Sequence, residues 1–383
     1  MAGKRRGNKE GSLWQRRSDL RWCGAITVEG KRRYVYAKTR QAAAEKLTAL
    51  LKDAQDGLPA VGQRETVGTF AERWLDAKRP SIKASTHRRY STLLRVNVLP
   101  TLANVSLARL TPGHLQRLYA ERSAAGRGPQ TITHIHRVLH GMLKDATRWG
   151  SVVRNVATLV SPPAIPYREM EVLDAEQARD FRKSTSDTNL EALWRLALGT
   201  GLRIGEIMAL RWPEVDLGKQ GDSDNSQVRV IATLDRYKGG YSLTEPKSAK
   251  SRRTVHLPDS VTDALRRHRA RQDADRLESG QSRDDEGFVF VNSRGGPLNS
   301  TNLARRVFKP LLLEAGLPPS LTIHSLRHTA ITFALSRGVA PTDVAAMAGH
   351  SSVVVTLTRY GHALPDAPRR AVDAIEAVMA EVS

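Results

Sequence analysis

The chain has 383 residues, enough for two or three domains with buried cores. Lys and Arg number 60 against 39 Asp and Glu, and the resulting +21 exceeds what solubility requires and points to a polyanionic partner. Its single cysteine, Cys23, excludes an internal disulfide framework and a cysteine zinc site.

Residues 1–11 are charged and lack the apolar core of a signal peptide, and no apolar run approaches the roughly 18 residues that span a bilayer. A cytoplasmic protein without membrane contact is expected. The charge is also segregated. The first 165 residues hold 30 basic and 11 acidic side chains, a net of +19, whereas residues 166–383 hold 30 and 28, a net of +2. Two basic front modules joined to a nearly neutral back module read as DNA grips attached to a part that acts.

Strand signals open the chain: "LRWCGAITV", a tight Glu29-Gly30 turn, then "KRRYVYAKT" within residues 12–38. A helix is expected over 39–52, with Ala43, Leu47, Leu50 and Leu51 at helical spacing. A small sheet and helix studded with arginine suits a DNA groove. Trp14, Trp22 and Tyr34 are expected to form the core of the same module. "QDGLPAVGQRE" reads as a linker.

Residues 66–158 read as all helical. "TVGTFAERWLDAKR" places Phe70, Trp74 and Leu75 on one face, and Pro100 is expected to close the helix that follows. "TPGHLQRLYAERSAAG" has a Thr cap, Pro in its first turn and a Gly stop. In the last long helix, His134, His136 and His140 are interleaved with Ile135, Val138, Leu139, Met142 and Leu143. They therefore read as solvated or DNA-facing rather than as a metal site. "VSPPAIPYRE" is a proline-rich hinge before the second half.

Four stretches of the back module carry chemistry. In "LGTGLRIGEIMALRW", Thr200-Gly201 interrupts a helical pattern and Arg203 opens the next helix, with Glu206 one turn beyond. A glycine break of this kind could offer backbone N–H groups to a phosphate, or be a plain helix junction. In "YSLTEPKSAKSRRTVHLP", alternation on both sides suggests two strands joined by a turn that carries Lys247 and Lys250. In "TIHSLRHTAITFAL", a helix projects His324 and Arg327 from one face, and His328 could share it. No glutamate follows the first His in the zinc-protease manner.

The fourth stretch, "MAGHSSVVVTLTRYGHALPD", holds His350 and Tyr360. A tyrosine of pKa about 10 is only roughly 0.1% ionised at neutral pH, so as a nucleophile it needs a base or a strongly electropositive site. Two arginines, two histidines and a lysine would supply one. They match a phosphodiester, whose non-bridging oxygens gain charge during in-line displacement and fit the guanidinium fork.

In this order, Arg203, Lys247, His324-x-x-Arg327, His350 and Tyr360 resemble the catalytic series of the tyrosine recombinases, in their phage integrase branch. "TGLRIGE", "HSLRHT" and "GHSSVVVTLTRYGH" are each close to the family's wording. The resemblance implies a multidomain, mostly α protein with small β-sheets. Residues 1–60 would be an arm-type DNA-binding domain, a three-stranded sheet plus helix. Residues 65–160 would be a helical, SAM-like core-binding domain. Residues 167–383 would be a mixed α+β catalytic domain ending in a helix, "RRAVDAIEAVMAEV", whose Val372, Ile375, Val378, Met379 and Val382 form one stripe that folds back or docks on a neighbour.

The roles implied are equally specific. Tyr360 would form a 3′-phosphotyrosyl link, Arg203 and Arg327 would clamp the phosphate, and His350 would hydrogen-bond it. His324 would assist proton removal from Tyr360, Lys247 would protonate the leaving 5′-oxygen, with Lys250 as the alternative, and Glu206 would be a supporting carboxylate. No ATP, metal or other cofactor is implied. The expected partners are core- and arm-type double-stranded attachment sites, further copies in a homo-tetramer and an excision or directionality factor, at the nucleoid of a bacterial host. A type IB topoisomerase would share the chemistry but needs no second DNA site, and a regulator with a dead site would not keep the full catalytic set.

Overall fold

The computed structural model describes residues 11–28, 31–55, 65–166, 169–219, 225–237, 240–245, 252–280 and 287–364, together with Arg369, Val372, Ile375, Glu376 and Met379. The chain divides into two compact units, Met1–Tyr167 and Arg168–Ser383.

The first unit begins with β1 (Ser12–Gln15), β2 (Trp22–Val28) and β3 (Lys31–Ala37), an antiparallel sheet in that order, followed by α1 (Arg40–Gln55). The expected turn at Glu29-Gly30 lies outside the described residues. One face of the sheet is covered by α1, with Ile26, Leu47 and Leu50 forming the core beside Cys23, Ala25 and Ala43. The aromatic core expected from Trp14, Trp22 and Tyr34 is not what forms. Trp14 is 36% and Tyr34 48% exposed, because a single helix can cover only one side of a three-stranded sheet. In β3 the alternation sends Arg32, Tyr34 and Tyr36 outward together. Arginines lie over two of these open rings, Arg16 over Tyr36 at 5.4 Å and Arg32 over Tyr34 at 5.9 Å, and Arg40 lies over the half-buried Trp22 at 5.8 Å.

The helical part follows as α2 (Val67–Lys78), α3 (Ala84–Leu93), α4 (Leu99–Leu102), α5 (Pro112–Ala124) and α6 (Pro129–Arg148). Thr66 caps α2, and Pro112 sits in the first turn of α5, where its missing N–H costs nothing. α6 buries Ile132, Ile135, Val138, Leu139, Met142 and Leu143 as one stripe against Phe70, Trp74 and Leu75. Trp74 Nε1 donates to Asp145 Oδ2 at 2.8 Å, so the indole is buried with its one polar atom satisfied. His136 Nδ1 is 2.9 Å from the Tyr119 hydroxyl, which gives that half-buried imidazole a polar partner.

Pro100 does not end its helix. Between α3 and α4 the chain makes a π turn, Leu94–Val98, in which Leu99 N–H reaches the Leu94 carbonyl. Widening the ring from i−4 to i−5 relieves the clash that a proline ring makes with the carbonyl four residues earlier. A second π turn, Ala304–Phe308, precedes Pro310 in the same way.

The second unit contains α7 (Ala175–Ser184), α8 (Glu191–Thr200), α9 (Ile204–Ile207), β4 (Val215–Asp216), β5 (Gln227–Val230), β6 (Thr233–Tyr237), β7 (Gly240–Thr244), β8 (Arg253–His256) and α10 (Asp259–Glu278). After these come α11 (Ser300–Leu303), α12 (Lys309–Glu314), α13 (Ile323–Ser336), α14 (Pro341–Ala348) and α15 (Val353–Tyr360). α8 is buried on nearly every side. Its Trp194 meets Phe181 and Phe308, with ring centroids 6.1 and 5.5 Å away.

The strands on either side of the two lysines are present but do not pair with each other. β7 pairs with β6, whereas β8 joins the sheet β4-β5-β8. Of the C-terminal stripe, Val372, Ile375 and Met379 are exposed; Val378 and Val382 lie outside the described residues. No helix of the described residues is long and apolar enough to cross a membrane.

Candidate active site

Two glycines place the first arginine. α8 ends at Gly201, whose φ of +63° is the left-handed conformation that stops a helix, and the chain restarts with Arg203 capping α9. Glu206 in the first turn of α9 accepts from Arg203 twice: from its backbone N–H at 3.0 Å and from its guanidinium at 2.9 Å. That backbone N–H is therefore already occupied by a carboxylate, and the glycine break is a helix junction. The other arm of the Arg203 guanidinium donates to the Gly349 carbonyl at 2.9 Å.

Gly349, at φ +65°, ends α14 just as Gly201 ends α8. A Cβ there would lie 2.6 Å from a terminal nitrogen of Arg253, so glycine is required twice over, for conformation and for space. Arg253, in β8, is the least conspicuous member of this cluster in the sequence. Its Nε donates to the Met347 carbonyl at 2.6 Å, and its terminal nitrogens reach the two Glu206 oxygens at 3.3 and 2.9 Å. Glu206, 3% exposed, thus sits between Arg203 and Arg253. Burial alone would raise its pKa, but hydrogen bonds and charge from Arg253, then Arg203, more than offset this and hold it below the usual range.

α13 carries the second arginine. Arg327 is 3% exposed and donates to the Gly201 carbonyl at 2.5 Å and the Ala348 carbonyl at 2.7 Å, joining the two helix-ending turns. Desolvation, followed by the charge of Arg203, lowers its pKa to about 10, so it remains a cation at neutral pH. Arg203 and Arg327 therefore meet at the same two turns, from α9 and α13.

His350 follows Gly349, and Thr356 Oγ1 lies 2.7 Å from its Nδ1, which fixes the plane of the ring. Tyr360, the last residue of α15, is 1% exposed, and its ring stacks at 15° on that of His350 with centroids 6.3 Å apart. The Tyr360 hydroxyl is hydrogen-bonded to Nδ1 of His328. His324, expected at the tyrosine proton, packs edge-on against His328 instead, with ring centroids 4.4 Å apart. His328 was visible in the sequence only as a residue four beyond His324; the contact that distinguishes it spans 32 positions.

Burial first, and then charge, tunes all four groups. Desolvation, then His324 and the guanidiniums of Arg327 and Arg359, depress His328 to about 4; desolvation, then Arg327, Arg203 and Arg359, do the same for His350. His324 is lowered by desolvation and by Arg327, Arg203 and Arg359. Tyr360 is raised by desolvation, against the pull of Arg327, Arg359 and Arg203. The imidazoles are thus neutral acceptors or donors at pH 7, and the phenol is protonated. Lys247 and Lys250 lie outside the described residues, between Glu245 and Arg252.

The sequence profile described as the phage integrase family matches residues 170–366, just over half of the chain, and that of the phage integrase N-terminal SAM-like domain matches residues 66–121. A tyrosine recombinase XerC-like protein of Caldanaerobacter subterraneus subsp. tengcongensis is 28% identical over 359 residues, 90% of this chain and 91% of that protein. An integrase of Streptomyces ambofaciens is 30% identical over 366 residues, 93% of each. In fold, the chain is similar to the Tn1549 transposon integrase in complex with a circular intermediate DNA, at a TM-score of 0.66, 21% identity and coverage of 81% of this chain and 99% of that one. It is also similar to a lambda integrase dimer bound to a COC′ core site, at a TM-score of 0.56, 15% identity and coverage of 93% and 96%. With the profile over the site and kinship along nearly the whole length, the chain belongs to the phage integrase family, the tyrosine recombinases that break and rejoin DNA at specific sites.

Proposed function

We propose that the cluster around Tyr360 is the strand-transfer centre of this recombinase. The observation that carries the reading is that Arg203, Arg327, His350 and the Tyr360 hydroxyl, from four separate segments, converge within one chain. The Tyr360 oxygen attacks the scissile phosphorus, the P–O5′ bond breaks, and the product is a 3′-phosphotyrosyl link with a free 5′-hydroxyl. No water is consumed, so the bond energy is kept and a partner strand's 5′-hydroxyl can reverse the step.

Arg203 and Arg327 clamp the non-bridging oxygens through the guanidinium donors they do not spend on carbonyls. His350, its Nδ1 held by Thr356, hydrogen-bonds the same phosphate. Glu206 holds Arg203 in place, and His324 assists the removal of the phenolic proton. Lys247, or else Lys250, protonates the leaving 5′-oxygen.

The front of the chain supplies DNA contacts. Residues 1–60 read as an arm-type domain, supported by the open row of Arg32, Tyr34 and Tyr36 on β3 with Arg16 over Tyr36. Residues 65–160 read as the core-binding domain and 167–383 as the catalytic one. The integrase of a phage or other integrative element, working at the bacterial nucleoid as a homo-tetramer on core and arm sites with an excision factor, fits the family and the charge. The DNA flanking the gene tests this. Full-length protein should form a detergent-stable adduct on it and recombine it, and a chain lacking residues 1–60 should keep the adduct but lose recombination. Equal recombination by the truncated chain rules out the arm role.

A further inference from the structure

The proton of the attacking tyrosine has a more direct acceptor than His324. We infer that His328 is a catalytic residue, and that its Nδ1 takes the phenolic proton of Tyr360 as the tyrosine oxygen bonds to phosphorus. The inference deepens the strand-transfer reading above and rests on it.

Geometry carries it. His328 follows Arg327 on α13, 9% exposed, and its Nδ1 is the atom hydrogen-bonded to the Tyr360 hydroxyl. The rings of His328 and Tyr360 lie 5.6 Å apart, tilted at 45°, and in the tautomer protonated at Nε2 the Nδ1 atom carries the lone pair that accepts the phenolic proton. A general base must stand within hydrogen-bond reach of the proton it takes, and His328 meets that requirement before any DNA is bound. His324 meets His328 edge-on, one ring farther along the same helix. Its place is that of a second group in the path, next to the acceptor.

The acceptor's strength changes with the substrate. In the free chain His328 is a weak base, because it is desolvated and faces His324, Arg327, Arg359 and His350. A phosphate seated on Arg327 brings negative charge to the groups that depress it, so its basicity rises when the substrate arrives. The step then balances. The proton passes from Tyr360 to His328, the Tyr360 O–P bond forms, the P–O5′ bond breaks, and the 5′-oxygen is protonated by the general acid. On rejoining, the imidazolium returns its proton to Tyr360.

The test is single-turnover adduct formation at saturating DNA, measured for full-length protein carrying His328→Asn, His328→Ala or His324→Ala, with DNA affinity as the check on folding. Asn matches the shape and hydrogen bonding of the imidazole but cannot take a proton at neutral pH. Both His328 variants should bind DNA as the native chain does and form adduct about 10²–10⁴-fold more slowly. Added imidazole should speed His328→Ala, which leaves space beside Tyr360, and leave His324→Ala unchanged. An adduct rate for His328→Asn within threefold of the native chain, or above it, overturns the inference even if His328→Ala fails to fold. Loss of adduct in Tyr360→Phe together with native rates in His328→Asn leaves the strand-transfer reading standing and removes only His328. An adduct that persists in Tyr360→Phe removes the reading itself.

Discussion

Replacing Arg253 by Ala removes a side chain that makes no contact with DNA in the mechanism yet joins three parts of the site. The Arg253 and Glu206 side chains are 7% and 3% exposed, and Arg253 gives the carboxylate two of its hydrogen bonds. Removing one member of a buried ion pair costs about 3–5 kcal/mol, because the other charge remains in the interior. Here the lower end applies, since Glu206 keeps the guanidinium and backbone N–H of Arg203. The Met347 carbonyl also loses its donor, for about 1 kcal/mol more. A loss of about 4 kcal/mol leaves a domain of ordinary stability folded but marginal. Hydrogen exchange on peptides from α8 and α13 reads this unit separately from the other. Protection there should fall by the same free energy, and Arg253→Lys, which keeps the charge but cannot span Glu206 and Met347 together, should fall between. In a double-mutant cycle with Glu206→Gln, the coupling should exceed about 1 kcal/mol. A loss under 1 kcal/mol in Arg253→Ala, with additive double mutants, refutes the structural role assigned to this pair.

Two further outcomes follow from contacts in the site, and a third from the general-acid role proposed for Lys247. His328 and His350 are bases whose folded pKa, about 4, lies below the unfolded value, so between pH 6.5 and 4 the unfolded chain binds more protons and stability falls as pH drops. From pH 7 to 5 the catalytic unit should lose about 1–2 kcal/mol for each imidazole, and His328→Asn should remove its share; urea melts at both pH values check this. Gly349→Ala, with its Cβ 2.6 Å from Arg253 in a left-handed turn, should cost about 1–3 kcal/mol and slow cleavage, whereas a melt within 0.5 kcal/mol of the native chain would contradict the packing at that turn. Lys247→Ala should be severely slow on ordinary DNA but near native on DNA with a 5′-bridging sulfur, whose thiol pKa of roughly 8.5 needs little protonation; rescue of Lys250→Ala instead moves the acid to Lys250.

What the sequence made legible was local. The break at Thr200-Gly201, the cap at Arg203, the α6 stripe and the projection of Arg327 from α13 all follow from helical period and glycine chemistry, and each is where the pattern places it. What escaped was non-local. Period-two alternation marks β7 and β8 as strands but does not say that their partners are β6 and β5. Trp14 and Tyr34 are apolar enough for a core, yet only the covering of one sheet face by α1 decides that they stay open. Pro100 reads as a stop because a π turn leaves no composition signal. Arg253 and His328 matter through contacts 47 and 32 residues away, which no spacing rule reaches.

Strand transfer as proposed leaves Tyr360 joined to the 3′ side of a cut strand. Full-length protein should be trapped on nicked DNA from beside its gene, digested with protease, and the nucleotide-bearing peptide sequenced by mass spectrometry. That peptide should contain Tyr360 linked to a 3′-phosphate, opposite a free 5′-hydroxyl, and should vanish in Tyr360→Phe while DNA binding persists. A link to any other residue, a 5′-phosphate attachment, or cleavage that leaves no protein on the DNA would contradict it.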